Sequence, residues 1–369
     1  CARTLEFLSD SASVADFNSS DEQAKKDLDT DFIGKGVLEI MPDGYGFLRG
    51  ESYFQSKFDV YVPDSTIKKI KLRRGDFVVG KTVINADSSD YLMYTHSING
   101  LTVDNAFKRP EFDNLIPVYP NEKINLEIEG ESDSTMRVLD LMCPIGKGQR
   151  ALIVSPPKAG KTTIIKKLAR AISENHKEIK LFVLLIDERP EEVTDIRTTV
   201  NAEVVDSTFD MSYERHVRVT ELLLDRAKRL VETGKDVVIL LDSITRLARA
   251  YNNVITPSGR SLSGGLDTQA LQPPKKFFGA ARNMNGKGSL TIIATALVDT
   301  GSKMDDIIYE EFKGTGNMEI HLDRMLAERR IFPSVNLTKS GTRMDNLLQN
   351  SEELDTQYKI RRLLASKNT

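Results

Sequence analysis

A chain of 369 residues is long enough to bury a sizeable core and to divide into two or three domains. Hydrophobic residues at 40% and charged residues at 28% describe a globular chain, and the longest apolar runs, such as 181–186, are too short to cross a bilayer. A net charge of −3 excludes binding to nucleic acid through overall basicity, so any such binding rests on local patches. Cys1 and Cys143 cannot build a disulfide framework, and a reducing cytoplasm is expected. His96, His176, His216 and His321 are scattered without metal-ligand spacing. No basic-then-apolar signal segment opens the sequence, and its start at Cys1 rather than Met suggests a fragment or a processed product.

Residues 1–33 are polar and acidic with weak periodicity, the texture of a mobile arm or of a remnant of an N-terminal subdomain. From 34 to 108 short alternating runs replace it: 36–40, 45–49, 59–62, 76–79 and 91–98, punctuated by turn residues. Five such strands predict a small antiparallel barrel of the OB, cold-shock-like type. Within GYGFLRG (44–50), Tyr45 and Phe47 stand two apart and share a face that Arg49 continues. Paired aromatics with a cation form a stacking platform for single-stranded nucleic acid. Val37, Leu38, Ile40 and Leu48 are left to fill the barrel core, while Tyr61, two residues from Asp59, and Tyr91 extend the candidate site.

Residues 109–140, with Pro110, Pro117, Pro120 and an acidic run, read as a connector with some strand. The remainder, 141–369, alternates buried-type strands (151–154, 181–187, 203–209, 236–242, 289–297) with helices, notably 213–231. Glu221, Asp225, Arg226 and Arg229 are expected on solvated faces of that helix. Continuous apolar strands separated by helices predict a mainly parallel sheet covered on both faces, with ligands at its carboxyl edge.

The segment RALIVSPPKAGKTT (150–163) is a strand, a loop and a helix start, the setting a P-loop requires. Gly160 lets the backbone approach phosphate oxygens, Lys161 reaches the terminal phosphates of ATP, and the Thr162 hydroxyl suits Mg²⁺. Ser155 stands where the P-loop pattern has its first glycine. Asp242 ends an apolar strand in the manner of a Walker B carboxylate, which holds the Mg²⁺ shell. Glu188, in FVLLIDERPEE, is placed to orient the water that attacks the γ-phosphate. Phosphoryl transfer also calls for an arginine, and Arg324, Arg329, Arg330 and Arg343 are candidates. Two loops rich in Gly and Ser, 257–265 with Arg260 and 299–304 with Lys303, can grip a phosphate backbone or simply connect elements.

These segments together resemble the bacterial Rho family of termination factors, ring-forming RNA translocases driven by ATP. The likeness runs from 34 to 348, through VLEIMPDGYGFLR, PIGKGQRALIVSPPKAGKT, LLIDERPEEVTDI, ILLDSITRLARAYN, FFGAARN, SLTIIATALVDTGSKMD and YEEFKGTGNMEIHL. The resemblance implies a RecA-like ATPase domain and a homohexamer that acts on pyrimidine-rich RNA and RNA polymerase, with no membrane. It places the RNA site on Tyr45, Phe47, Arg49, Asp59, Tyr61 and Tyr91, and the nucleotide on Lys158, Ala159, Gly160, Lys161, Thr162 and Thr163. It implies a catalytic Glu188 beside Arg189, Mg²⁺ at Thr162 and Asp242, and Phe332 stacked on adenine. Arg343 becomes an arginine finger across the subunit interface with Arg330 assisting. The loops holding Arg260 and Gly264, and Lys303, become pore loops that drive RNA. The family's N-terminal helical subdomain and its last C-terminal helices are expected to be incomplete here.

Two rival readings use the same residues. A rotary-type ATPase subunit shares PIGKGQR and the sheet but has no use for GYGFLR or the Lys303 loop. A nucleotide-gated RNA-binding protein that does not translocate needs neither Glu188 nor an arginine finger.

Overall fold

The computed structural model of the chain describes residues 33–84, 90–257, 259, 261–286 and 288–367. Apart from Ile33, the expected acidic arm lies outside the described residues, as do Ser258 and Arg260.

Strands β1 (Ile33–Ile40), β2 (Gly46–Arg49), β3 (Val60–Val62), β4 (Phe77–Ile84) and β5 (Asp90–Ile98) close a barrel in the order β1-β2-β3-β5-β4. Four of its pairs are antiparallel, but β3 and β5 run parallel at Tyr61 and Tyr91. The wholly antiparallel expectation fails because β5 takes its direction from β4, and closure leaves it only β3 to meet. Period-two alternation turns Leu38, Leu48, Val60, Val62, Val78 and Leu92 into the core. The short helices α1 (Asp64–Lys69) and α2 (Val103–Phe107) add Ile67 and Ala106.

The connector holds β6 (Pro117–Val118) and leads to α3 (Ser134–Met142), whose N-cap Asp133 accepts from the Thr135 amide at 2.8 Å. Beyond it the chain alternates: β7 (Arg150–Ser155), α4 (Lys161–Asn175), β8 (Lys180–Ile186), α5 (Pro190–Thr199), β9 (Glu203–Ser207), α6 (Tyr213–Glu232), β10 (Asp236–Asp242) and α7 (Ile244–Val254). Then follow β11 (Ser261–Leu262), β12 (Leu266–Asp267), α8 (Gln272–Gly279), β13 (Arg282–Met284), β14 (Ser289–Leu297), α9 (Lys303–Lys313), β15 (Met318–His321), α10 (Arg324–Glu328), β16 (Gly341–Thr342) and α11 (Ser351–Lys367).

The sheet runs β16-β15-β7-β14-β10-β8-β9 and is parallel from β15 to β9. Nearly every residue of β8, β10 and β14 is buried, as expected of strands covered on both faces. Two apolar clusters, one on each face, form the core. In a parallel sheet the strands that follow one another through crossovers end on one side, so the residues after β7, β8 and β10 converge there.

The barrel is seated on α6. Val37, Tyr53, Phe54 and Phe77 leave the barrel core and pack with the apolar residues of the second domain. The Arg215 and Arg226 guanidinium groups lie 4.4 and 5.2 Å from the Phe54 and Phe77 ring centres. The buried Tyr53 hydroxyl donates to Glu203 at 2.6 Å. Gly75, at φ +89°, comes so near that a Cβ would stand 2.4 Å from the Asp225 carbonyl carbon. Two expectations are corrected at this seam. Val37 faces the second domain because it alternates with Leu38, whose side the barrel uses. The polar side of α6 is only partly solvated: Arg226 is buried and donates to Asn99 at 2.5 Å, Asp225 pairs with Arg74 at 2.9 Å, and Arg229 with Glu232 at 3.1 Å, while Glu221 stays half exposed. Glu221 lies 3.8 Å from Arg74.

Candidate ATPase site and nucleic-acid interface

Strand β7 delivers the P-loop to the carboxyl edge of the sheet. Ser155 is its last residue, pairs with Leu297 of β14, and is not among the residues with positive φ. No left-handed backbone is needed there, which is why serine replaces the expected glycine. The left-handed positions come later, at Lys158 (φ +63°) and Gly160 (φ +90°), just before α4. Ala159 is buried, and its carbonyl accepts from the Ser334 hydroxyl at 2.8 Å. Thr162 and Thr163 occupy the first turn of α4, where free amides and the helix dipole favour an anion.

Three groups meet beside this loop. Lys161 Nζ donates to Glu188 Oε1 at 2.8 Å and to Asp242 Oδ1 at 2.6 Å. Burial alone would depress the Lys161 pKa, but the Asp242 and Glu188 carboxylates more than offset it and hold the ammonium above its ordinary value. Burial pushes Asp242 up from the usual carboxylate value, with Lys161 opposing and Glu188 adding to the rise. Thr295 of β14 donates to Asp242 Oδ1 at 2.8 Å, which leaves Oδ2 buried without a partner. An orphaned buried carboxylate oxygen fits a hydrated Mg²⁺, which is held by few protein groups plus phosphate oxygens, while the Thr162 hydroxyl lies 3.5 Å from Glu192 Oε2. Among the described residues no cluster of His, Cys, Asp and Glu could cage a metal by itself.

The sequence missed the partner on the other side of Glu188. Arg246, on the first turn of α7, stands 3.1 Å from Glu188 Oε2 and also donates to the Asp187 carbonyl. Glu188 is 3% exposed, so its orientation is fixed between two cations. Ser243 caps α7 by accepting from the Arg246 amide at 3.2 Å, and this aims the arginine. The spacing of Arg246 from Asp242 was the available signal, since one helical turn returns a side chain to the strand end it follows.

Other predicted residues fall into two groups. Phe332 is 58% exposed and lies two residues before Ser334, whose hydroxyl ties that segment to the P-loop through the Ala159 carbonyl. Arg189 is exposed at the N-cap of α5 next to Glu188, and Arg330 is exposed at φ +59° after α10. Arg343 is not brought to this P-loop. Its amide donates to Asn317 at the start of β15, and Asn317 in turn donates to Arg150 at the start of β7. The whole length of β7, roughly 20 Å at the usual rise per residue, separates Arg343 from the Ser155 end.

On the barrel, Tyr45, Phe47, Tyr61 and Tyr91 form one half-buried aromatic surface. Ring centres lie 5.8 Å apart for Tyr45–Phe47, 5.7 Å for Tyr45–Tyr61, 5.8 Å for Phe47–Tyr61 and 6.2 Å for Tyr61–Tyr91. Gly46 is required between two of them, because a Cβ there would stand 2.8 Å from the Glu39 carbonyl oxygen. Arg49 differs from its expected role as an open cation. It is 2% exposed, donates to Glu39 at 2.6 Å and Asp59 at 2.5 Å, and sits 4.8 Å from the Phe47 ring centre. It braces the platform from beneath because two carboxylates take up its donors. Glu39 also accepts from both Arg218 nitrogens of α6, which together with Arg49 outweighs burial and keeps its pKa low.

The two Gly/Ser-rich loops, separate in sequence, are neighbours in space. Gly264 packs against the backbone of Lys303 and Met304, with Lys303 exposed at the start of α9. Asp305, fully buried, holds that helix to α7 through Arg249 at 2.8 and 2.6 Å.

Comparison with known proteins agrees with this two-part arrangement. Residues 34–104 match the family model described as the Rho termination factor RNA-binding domain, and 135–342 match the nucleotide-binding domain of the ATP synthase alpha/beta family. Transcription termination factor Rho of Chromobacterium violaceum is 53% identical over 348 residues, covering 93% of this chain and 83% of the relative. The chain belongs to the Rho family. The Rho proteins of Aquifex aeolicus and Bacillus subtilis are 56% and 55% identical, each covering 90% of this chain and 78% of its own length. Among solved structures, a type III secretion system ATPase superposes with a TM-score of 0.60 at 24% identity, covering 77% of each chain, a likeness of fold. The nucleotide-binding fold is thus one that this chain shares with the ATP synthase alpha/beta family, and the model matched by its barrel is that of the Rho RNA-binding domain. As a Rho-family chain with this nucleotide-binding domain, it is an ATP-hydrolysing enzyme with an RNA-binding domain. No helix among the described residues is long and apolar enough to cross a membrane.

Proposed function

We propose that this chain is a cytoplasmic transcription termination factor, an RNA-dependent ATPase that binds pyrimidine-rich single-stranded RNA. It translocates 5′→3′ as a homohexameric ring and releases nascent RNA from RNA polymerase. The domain division follows: 34–108 binds RNA, 109–140 connects, and 141–369 is the motor. One observation carries the reading. A four-ring stacking surface and a P-loop with paired carboxylates belong to domains joined through α6.

In the ATP site, Lys158 and the amides of 159–163 cradle the phosphates, and Phe332 stacks on the adenine. Phosphate charge draws Lys161 away from Glu188 and Asp242. Glu188, still held by Arg246 at 3.1 Å, then orients water for in-line attack. Mg²⁺ would be held through Thr162 and Asp242 and would supply neutralisation of charge on the phosphate oxygens. Arg343, remote from its own P-loop and without an ion pair among the described residues, serves the site of the adjacent subunit with Arg330 assisting, while Arg189 acts beside Glu188. Tyr45, Phe47, Tyr61 and Tyr91 stack bases, Arg49 paired with Asp59 braces the rings from beneath, and Arg260, Gly264 and Lys303 act on RNA in the pore.

The test is ATP hydrolysis with and without cytidine-rich RNA, beside a Lys161→Ala control. Strong stimulation that the control abolishes supports the motor. Hydrolysis indifferent to RNA overturns it in favour of a rotary-type enzyme, and RNA binding without hydrolysis in favour of a gated binding protein.

A further inference from the structure

The segment that carries Arg343 is pinned at its base by a side chain from the C-terminal helix. Arg361 of α11 donates from Nη1 to the Leu337 carbonyl at 2.8 Å, and from Nη2 to the Met142 and Ser340 carbonyls at 2.9 and 3.0 Å. Gly341 lies so close that a Cβ would stand 3.3 Å from Arg361 Nη2. Further bonds complete the mount. The Ser340 hydroxyl donates to Asn336 at 2.6 Å, the Thr342 hydroxyl to Pro144 at 2.8 Å, and the Arg343 amide to Asn317 at 2.9 Å. The Arg343 side chain is exposed and has no ion-pair partner among the described residues. The result is a fixed backbone presenting a free guanidinium.

We propose that Arg361 is a positioning residue for Arg343, setting the height and direction from which it reaches the neighbouring nucleotide. The inference rests on the trans-acting role given to Arg343 above. A planar guanidinium can serve three carbonyls from two segments at once, whereas an ammonium on a flexible stem cannot. Electrostatic stabilisation of a transition state depends on donors held in place beforehand, and the 337–343 turn has little regular structure to hold itself. Arg361 also shares the Met142 carbonyl, at the end of α3, with Gln357 at 3.2 Å, so a structural share must be separated out.

A double-variant cycle on the full chain does so. Arg361→Ala is expected to lower RNA-stimulated kcat about 10–100-fold, the scale of a misplacement of roughly 1 Å. Affinity for a non-hydrolysable ATP analogue and RNA affinity should stay near wild type, while any fall in the melting temperature of the assembly measures the structural share of the three lost bonds. Combined with Arg343→Ala, Arg361→Ala should add nothing beyond the Arg343→Ala loss, because it acts only through that side chain. Arg361→Lys is taken through the same cycle, so that a poorly folded alanine variant does not decide the matter, and it should not restore kcat. Losses that multiply in the double variant, or unchanged kcat beside an impaired Arg343→Ala, overturn the proposal. Full turnover by Arg343→Ala removes the finger assignment itself, and this proposal with it.

Discussion

Gly264 and Met304 meet backbone to backbone: a Cβ on Gly264 would stand 2.8 Å from the Met304 nitrogen, and Gly264 holds φ +78°. The contact joins the tip of one candidate RNA loop to the other, one residue beyond Lys303. Gly264→Ala meets both a steric and a conformational obstacle, of the order of 1–3 kcal/mol, which the exposed loop relieves by moving away from Lys303. RNA-stimulated ATP hydrolysis should fall several-fold while ATP-analogue binding and binding of short oligocytidine to the barrel are retained. Full stimulation in the variant would mean that the two loops act independently.

Glu188→Gln keeps the shape of the ATP site but removes a carboxylate flanked by Lys161 and Arg246. Nucleotide affinity should persist, and turnover should drop about 10²–10⁴-fold, the range for a positioned base. Single-turnover hydrolysis at saturating RNA measures it, and an unimpaired variant would take Glu188 out of the chemistry.

Phe47→Ala removes the ring that touches both Tyr45 and Tyr61 and covers Arg49. Stacking predicts a loss of roughly 1–3 kcal/mol in single-stranded RNA binding. Titration with labelled oligocytidine reads this directly, and unchanged affinity would place the bases elsewhere.

Arg218 links the underside of that platform to α6 through Glu39, and its two hydrogen bonds to Glu39 are lost in Arg218→Ala. Breaking a buried pair costs about 3–5 kcal/mol, and about 2 kcal/mol is expected here because Arg49 still serves Glu39. Urea unfolding of the variant should therefore shift to lower denaturant. An unchanged midpoint would show that the seam is held by its apolar contacts alone.

Glu39 also sets a pH dependence. Its folded pKa lies below the ordinary value, as burial is outweighed by Arg218 and Arg49. The stability it contributes is therefore complete above the usual glutamate range, about pH 4.3, and is lost as pH falls through the folded value. Asp225 and Glu232 are shifted upward, chiefly by burial, so their contributions have the opposite sign. Comparing wild type with Glu39→Gln at pH 7 and below pH 4 isolates the Glu39 part: wild type should lose more. Parallel losses would contradict the assignment.

Much of the ATP site was legible because its groups follow strand ends. The apolar runs before Ser155, Glu188 and Asp242 mark three parallel strands, and parallel strands finish on one edge. Tyr45 and Phe47 were legible from period two. Arg49 was misread, because spacing gives a face but not the carboxylates waiting there: Glu39 on the neighbouring strand and Asp59 before β3. Arg246 was overlooked because its spacing from Asp242 returns it to the strand end without showing that it leans toward Glu188, at the end of β8.

The sequence by itself determined the barrel followed by a P-loop ATPase, the nucleotide residues, and the aromatic face, since each rests on short-range spacing. Tertiary structure alone decided that the charged side of α6 is a seam rather than a solvated face, that the two Gly/Ser-rich loops touch, and that Arg343 stands far from its own P-loop. Those are contacts between segments some thirty to two hundred residues apart, and they depend on how sheet order and barrel closure fold the chain back, which no local periodicity encodes.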